Sequence, residues 1–476
     1  MFERIDLIGA HLYGQIMNGL SIKLKSWWIR KNEEASGSLR EKYTCGTLHY
    51  TPAGLITLFA WLLWGDFTFS LMESMPSLLN MQMKDHGMSN QAIAVLTTTI
   101  FQLCNIALNP VISSYSDRYR GRWGRRRPFL LFATPFVVIF LILIPWSPQI
   151  CSALQKYPPV RAALELLPFA PLVLVFGLLI LAFQIFNMFI STIYYYLIPD
   201  TVPEPFIGRF YGWFRVFGIL AGIVFNWFIF GYAHHHMRLL FAIFAALYGI
   251  SFVLMCLKVK EGGYPEVIEE KGEWFSPVRN YFIQCFGSSR NWLIFLVYGS
   301  IQWGSAIGVF YLFFYRDQIG LSEAEFGRLT TFTLGANLLL SAPFGALIDR
   351  LDSQKALMIG LASGIVLFLM CFFFIQDRTT AFLLGFLLSI PGFLIFLALG
   401  KWTVDMYPRA QYGQFASAGA IVGALGAAII SPIGGKLIDV SGNNYRLSLL
   451  LPAFCYGLAL VFSGILYVRF HRESRR

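Results

Sequence analysis

Apolar residues run in long blocks along this chain, and polar residues gather in the short intervals between them. Read with a window the length of a membrane helix, about 20 residues, the blocks fall at 54–79, 91–114, 129–147, 171–197, 209–232, 239–257, 291–315, 327–348, 355–376, 381–400, 415–438 and 447–469. No strand-period alternation competes with them, and outer-membrane barrels lack apolar runs of this length. The pattern predicts an all-α polytopic membrane protein with twelve transmembrane helices. A polar stretch at 258–290, with Lys258, Lys260, Glu261, Glu269, Glu270, Lys271 and Glu273, divides six spans from six. The predicted organisation is a tail at 1–52, a six-helix bundle at 53–257, a central loop at 258–290, a second bundle at 291–469 and a short tail at 470–476.

Composition excludes the main alternatives. Of 476 residues, 56% are hydrophobic and only 13% charged, against about 25% charged in an ordinary soluble chain. That rules out a disordered chain, a disulfide scaffold and a typical soluble enzyme. The net charge of +11 reads as topology and not as nucleic-acid binding. Roughly three-quarters of the Lys and Arg fall in segments that an inside N-terminus would place inside. Both termini are therefore expected in the cytoplasm, with the protein in an inner or plasma membrane. Residues 1–52 hold no apolar stretch followed by a cleavage site, and 22–30 (IKLKSWWIR) reads either as an amphipathic segment on the membrane surface or as a partly ordered tail. The seven Cys show no CxxC or zinc spacing and read as free packing thiols. The run 234–236 of three His reads as surface polarity, since adjacent residues do not converge readily on one metal. No P-loop, HExxH or GxSxG is present, so nothing points to an enzyme or an ATP-driven pump, and no cofactor is expected.

The two halves repeat. PDTVPEPFIGRF from Pro199 matches VDMYPRAQYGQF from Val404, with Asp200, Pro203, Gly208 and Phe210 aligned to Asp405, Pro408, Gly413 and Phe415 at an offset of 205. Gly218 matches Gly423 at the same offset, and Asp117 and Arg118 match Asp349 and Arg350 at 232. Two parallel six-helix halves around a central site is the layout of major facilitator transporters. The loop 116–129, SDRYRGRWGRRRPF, resembles the loop signature of that superfamily, and its ending is most similar to the glycoside–pentoside–hexuronide and sucrose transporters. Physically, Asp117 or Asp349 can cap a helix N-terminus, while Arg118, Arg122 and Arg125, with Arg350 in the second half, can pair with the opposite half in one access state only. These six are the candidate cytoplasmic gate. Arg126 and Arg127 read as positive-inside anchors.

Charges inside spans cost about 2.5–3.5 kcal/mol each on insertion scales. Asp66 lies mid-span in the first block, Glu73 lies on the same face two turns later, and Arg215 lies in the fifth. WGDFTFSLM around Asp66 and RVFGILAG from Arg215 resemble the segments of melibiose-type permeases in which an acid contacts the sugar and an Arg sits beside it. The resemblance implies Asp66 and Arg215 as substrate ligands that pair with each other when no sugar is bound. A structural ion pair holding spans 1 and 5 together is the alternative. Asp66 is the candidate coupling acid, with Glu73 beside it. Where sodium-coupled relatives carry two span-2 acids, this chain has Asn105 and Asn109, and Ser191 stands near a further missing acid. Two amides hold no charge for Na⁺, so the coupling ion expected is H⁺ and no metal is expected. Tyr195, Asn187, Gln302 and Asn105 complete the expected sugar site; Gln184, Asn226 and Asn337 can equally join helices. GxxxG pairs at Gly218 and Gly222, and at Gly419 and Gly423, allow close helix contact.

The function expected is secondary active transport of a sugar or glycoside by alternating access, coupled to protons, in a monomer whose partners are the small-molecule substrate and membrane lipid and not nucleic acid. A facilitative uniporter, an exporter of amphipathic compounds and a non-transporting sugar sensor remain as alternatives.

Overall fold

The computed structural model describes residues 43–166, 170–263, 276–408 and 411–470. The tail segment at 22–30, the final residues 471–476 and the acidic part of the central loop lie outside them. Among the described residues, eleven helical segments are long and apolar enough to cross a membrane. One of them, Glu204–Lys258, has 55 residues, about 80 Å of helix at 1.5 Å per residue, far more than a hydrocarbon core of about 30 Å. A π turn at Phe225–Ile229, a 3₁₀ turn at Phe230–Tyr232 and a non-helical His236 break it into two arms. Counted as two arms, it leaves room for the twelve spans expected.

The first half comprises α1 (Pro52–Glu73), α2 (Ile100–Arg118), α3 (Arg127–Leu143), α4 (Pro171–Thr201), α5 (Glu204–Val224) and α6 (Ala233–Lys258). The second comprises α7 (Ser289–Ala306), α8 (Glu323–Leu351), α9 (Ser353–Phe374), α10 (Arg378–Met406), α11 (Tyr412–Val440) and α12 (Leu447–Phe470). Neighbours repeat at an interval of six helices. Helix α3 packs on α4 and α6, and α9 on α10 and α12; α1 packs on α5 and α6, and α7 on α11 and α12. The repeat seen in the sequence is thus a repeat of packing.

Four local features depart from the pattern-based reading. The tail is not wholly irregular: Thr44–Cys45 and Leu48–His49 form a small antiparallel hairpin. Two residues per strand are too few to leave a period in the sequence. The hairpin rests on the bundle, where the Cys45 thiol donates to the Asp200 carbonyl at 3.5 Å and Thr47 Oγ1 accepts the Gly263 N–H at 2.6 Å. The first span runs on past Glu73 through a break at Ser74 into Met75–Asp85. Pro76 explains the break, since it lacks an N–H and its ring crowds the carbonyl of Met72. The loop after α3 is helical at Ser147–Leu154 and Pro158–Glu165, and the central loop ends in a helix, Ser276–Phe286. All seven Cys are free and five are buried, as read.

We call the end of the bundle where α1 begins and α12 ends the terminal face, and the other the far face. The halves are joined toward the far face. There the chain re-enters the membrane at the short helix Asn90–Ala94, which continues through a π turn at Val95–Thr99 into α2. Its first-turn N–H groups would be orphans. Asp439, at the end of α11, accepts two of them, from Asn90 at 2.9 Å and from Gln91 at 3.0 Å, and also takes the Asn90 side chain at 2.7 Å. Ser89 caps Ala92 at 3.1 Å. Asn443 and Tyr445 close around Asn90 at 2.8 and 3.0 Å, and Lys84 bridges Asn90 and Asn443 at 3.2 Å each. Gly435 permits the approach, since a Cβ there would stand 2.7 Å from the Asn90 carbonyl. A second joint lies beside α8, where Gly327 meets the Asn226 carbonyl and a Cβ on Gly231 would meet Ala324 at 2.9 Å.

Hydrogen bonds to a charged group contribute about 1.5–3 kcal/mol each. Asp439→Ala removes three and leaves two helix-end donors bare, so it should shift the population at least tenfold toward a far-face-open form. Electron–electron distance measurements between spin labels at positions 155 and 378, in a cysteine-free background, should then show a longer or broader distribution. An unchanged distribution would mean that Asp439 does not hold the halves together.

Candidate substrate site

A cavity of about 640 Å³ lies between the halves. Its polar lining is uncharged: Ser77, Asn80, Thr97, Thr98, Gln102 and Asn105 from the first half, and Tyr298, Gln302 and Ser305 from the second. Apolar walls come from Phe101, Val309, Leu312 and Phe326. Two helical stripes supply most of the polar set. Thr98, Gln102 and Asn105 recur at four- and three-residue steps on the second span, and Tyr298, Gln302 and Ser305 do the same on α7, the spacing that stacks side chains on one helix face. Asn80 is 4% exposed and its Oδ1 has no partner. A buried amide oxygen left unpaired costs about 1–3 kcal/mol, so it is an open acceptor for a ligand hydroxyl or a water.

Of the residues expected at a sugar site, Asn105 and Gln302 line this cavity. Asn105 accepts the Asn109 side-chain amide, and Asn109 accepts the Thr192 hydroxyl at 2.5 Å. The amide pair thus ties α2 to α4 and presents one member to the cavity. Asn187 does not reach it: its Oδ1 accepts the Tyr248 hydroxyl at 3.1 Å and joins α4 to α6, the helix-linking use of a buried amide. Gly423 lies against Gln302 and Tyr298, where a Cβ would crowd each at 3.3 Å, so the second GxxxG helix backs the cavity wall.

Asp66, Glu73, Arg215 and Tyr195 are absent from the cavity lining and form a separate group on the first half. Asp66 is 1% exposed and its Oδ2 has no hydrogen-bond partner. It faces α5 beside Gly218, where a Cβ would lie 3.8 Å from that oxygen. The expected pairing with Arg215 is not made in this conformation. Instead the Arg215 guanidinium crosses to the second half and lies 4.8 Å from the centre of the Phe396 ring on α10. A cation over an aromatic face is attractive, and the contact spans the two halves. Glu73 ends α1 and is exposed. Tyr195 packs edge-on to Phe69 at 6.1 Å and tilts against Phe214 at 5.9 Å. Its neighbour Tyr194 is fully buried and donates to the Leu62 carbonyl at 2.7 Å, fastening α4 to α1.

The charged loops of the terminal face pair inside their own halves. Arg125 and Arg126 both donate to Asp200, at 2.6 and 3.0 Å, and Arg126 also reaches Asp117 at 2.5 Å. Arg126 is 3% exposed; it is the centre of the network and not a surface anchor. Asp349 takes Lys401 at 2.5 Å, and Asp405, the repeat partner of Asp200, takes Ser353 at 2.6 Å. Arg118 closes α2, Arg122 lies in the turn after it and Arg350 lies in the last turn of α8. Charge bridging at the halves' joint sits at the far face, where Arg316 meets Asp85 at 3.4 Å and His234 lies 3.4 Å from Asp85 and 3.8 Å from Glu323. The His run is therefore more than surface polarity, because its first member stands between carboxylates of both halves.

Comparison with known proteins places this geometry. Residues 80–469 match the family described as MFS/sugar transport protein. The chain belongs to that family. It is an integral membrane transporter and not an enzyme, and its substrate is a small molecule. A General alpha-glucoside permease of Schizosaccharomyces pombe is 43% identical over 49 residues, which is 10% of this chain and only 9% of that protein. Among solved structures, a bacterial homologue of the human lysosomal transporter Spinster, in an inward-facing conformation, shares the fold with a TM-score of 0.65 at 13% identity, over 89% of this chain and 98% of that one. The nucleoside transporter NupG does so with a TM-score of 0.61 at 15% identity, over 87% and 99%.

The division of the residues is testable in the transporter. Gln302→Ala removes one hydrogen-bonding group from the cavity and should raise the KM for transport about threefold to tenfold, from 0.5–1.5 kcal/mol per bond, with the melting temperature unchanged. Asn187→Ala should lower the melting temperature and leave KM alone. The reverse pattern in uptake kinetics and thermal unfolding would exchange their roles.

Proposed function

We propose that the transporter moves a neutral sugar or glycoside by alternating access, driven by an inward proton gradient, with its terminal face in the cytoplasm. The observation that carries the substrate class is the cavity lining: amides, hydroxyls and aromatic walls, with no charged side chain, in about 640 Å³. That volume lies within the usual range for small-molecule sites, and a few placed polar groups among apolar ones give such sites their specificity. Amides offer a donor and an acceptor from one group, which matches neighbouring sugar hydroxyls. The short alpha-glucoside permease match agrees with this class.

Asp66 supports the coupling ion. A buried carboxylate with one oxygen unpartnered has room for a proton, for a substrate hydroxyl, or for Arg215 after it leaves Phe396. Proton binding removes a charge that is costly to carry through a state change, and Arg215 is the cation that would answer it. The amide pair Asn105 and Asn109 offers no charge to retain Na⁺. The positive-inside bias supports the orientation. Facilitated diffusion is the second reading, favoured by one observation: Asp66 does not line the cavity, so substrate can bind there without touching it.

The test is flux into proteoliposomes. Labelled maltose, sucrose and other glucosides should accumulate under an inward proton gradient and not under a sodium gradient. Asp66→Asn should abolish accumulation while leaving downhill exchange. Accumulation by the mutant equal to wild type removes Asp66 from coupling, and downhill flux indifferent to either ion establishes the uniporter.

A further inference from the structure

The turn between α2 and α3 encloses a second cavity, of about 530 Å³, on the terminal face. Among the described residues, Arg120, Arg122, Arg125, Arg127 and Lys260 line it with one carboxylate, Glu261. That carboxylate shows what the place accepts. It takes the backbone N–H groups of Arg125, Arg126 and Arg127 at 2.9, 3.0 and 2.7 Å, over the start of α3. Gly124 makes the seat, with φ +98 and no Cβ, since a Cβ would stand 2.6 Å from the Glu261 carboxyl carbon. The cations that matter for a ligand are Arg122, Arg127 and Lys260. Arg125 is answered by Asp200, but Arg127 spends its Nε on the Cys256 carbonyl, an uncharged partner, at 2.5 Å. Arg122 and Lys260 stand exposed on the rim.

The rim is also apolar on one side. Trp123 is 47% exposed with Arg127 over its ring at 5.9 Å, and Leu257, in the last turn of α6, is 51% exposed. A Trp and a Leu beside a cluster of cations at the end of membrane helices is the composition of the water–lipid boundary. A soluble anion has no use for the apolar side, whereas a lipid fills both.

We propose that this cavity binds a phosphate-bearing anion, namely the headgroup of an anionic phospholipid in the terminal-face leaflet, with Arg122, Arg127 and Lys260 on the phosphate and Trp123 and Leu257 along the upper chain. Because Arg125 and Arg126 share Asp200 with the network at Asp117, the lipid sits against the elements that fix the turn, and it ties α3 and α6 to the membrane surface. The site is independent of the sugar cavity and of the proposed coupling ion.

The experiment uses the full chain in phosphatidylcholine nanodiscs with and without phosphatidylglycerol, followed by native mass spectrometry after extraction. The variant Arg122→Gln with Lys260→Gln is compared with a control of equal charge, Arg290→Gln with Lys355→Gln, on the same face of the other half. Wild type and control should retain phosphatidylglycerol, and the first variant should retain it about tenfold to thirtyfold less tightly, from roughly 1 kcal/mol per cation near the surface. Both pairs lie on exposed side chains, and equal melting temperatures would show that the folds are intact. Equal loss in both variants would overturn the site in favour of diffuse attraction. Saturable binding of inorganic phosphate in phosphatidylcholine discs, without lipid retention, would overturn the lipid as the source.

Discussion

A carboxylate on one half caps a helix of the other, and much of the architecture answers to that contact. In lipid, a helix end without partners is prohibitive because no water replaces the missing bonds. The helix at Asn90 starts at the seam between the halves, and its own N-cap, Ser89, accepts from Ala92. Asp439 supplies the acceptors for the two N–H groups before it. The bond is therefore a closing device as well as a cap: opening the far face strips two donors at once. Gly435, one turn before Asp439, is what lets α11 come near enough. Beneath this seal the same chain passes through a π turn and presents Thr97 and Thr98 to the cavity. The contact between the halves and the cavity wall thus share one stretch of backbone, and π turns are frequent at functional sites.

The separation of charge from the cavity is the second consequence. Charged side chains in the cavity would compete with a neutral ligand for the same hydrogen-bonding groups. Here the neutral stripes of α2 and α7 face each other across the seam, while Asp66 and Arg215 lie at the contact of α1 with α5. The link between them is mechanical. Arg215 touches Phe396 on the other half, so any event that draws the guanidinium back toward Asp66 breaks a contact between halves.

The fold was legible because its signal is one-dimensional. Span length, cation bias and the repeat of Asp200 and Asp405 all lie along the chain, and they gave the class, the two halves and the family resemblance. Part of the site was legible too, though only Asn105 and Gln302 were singled out. The polar stripe at Thr98, Gln102 and Asn105 follows a four- and three-residue spacing that is visible in the sequence, as do Tyr298, Gln302 and Ser305. What could not be read is what depends on distance across the fold. Asn90 and Asp439 are 349 residues apart, and nothing local marks either as a partner. Asn187 and Gln302 are alike as sequence, a polar amide in an apolar run; only the neighbour Tyr248 distinguishes a joint from a wall. Arg126 looked like one more cation in a basic loop, and its burial follows from Asp200, 74 residues away.

The two faces differ in how they hold charge, and that difference sets a direction. On the terminal face the acids of the repeat are satisfied within their own half: Asp200 by Arg125 and Arg126, Asp405 by Ser353. On the far face Asp85 is shared between Arg316 and His234, and Asp439 serves the opposite half. Bonds inside a half survive a rigid-body rotation and bonds between halves do not. The terminal-face networks therefore brace each half from within, while the far-face ones fasten one half to the other. A form with the far face open would hand Asp439, the Asn90 helix end and Asp85 to water on that side, and since hydrogen bonds to a charged group contribute about 1.5–3 kcal/mol each, these contacts weight the molecule toward the far-face-closed form described. A molecule bound in the cavity would shift that balance only by as much as its affinity for the closed and open forms differs.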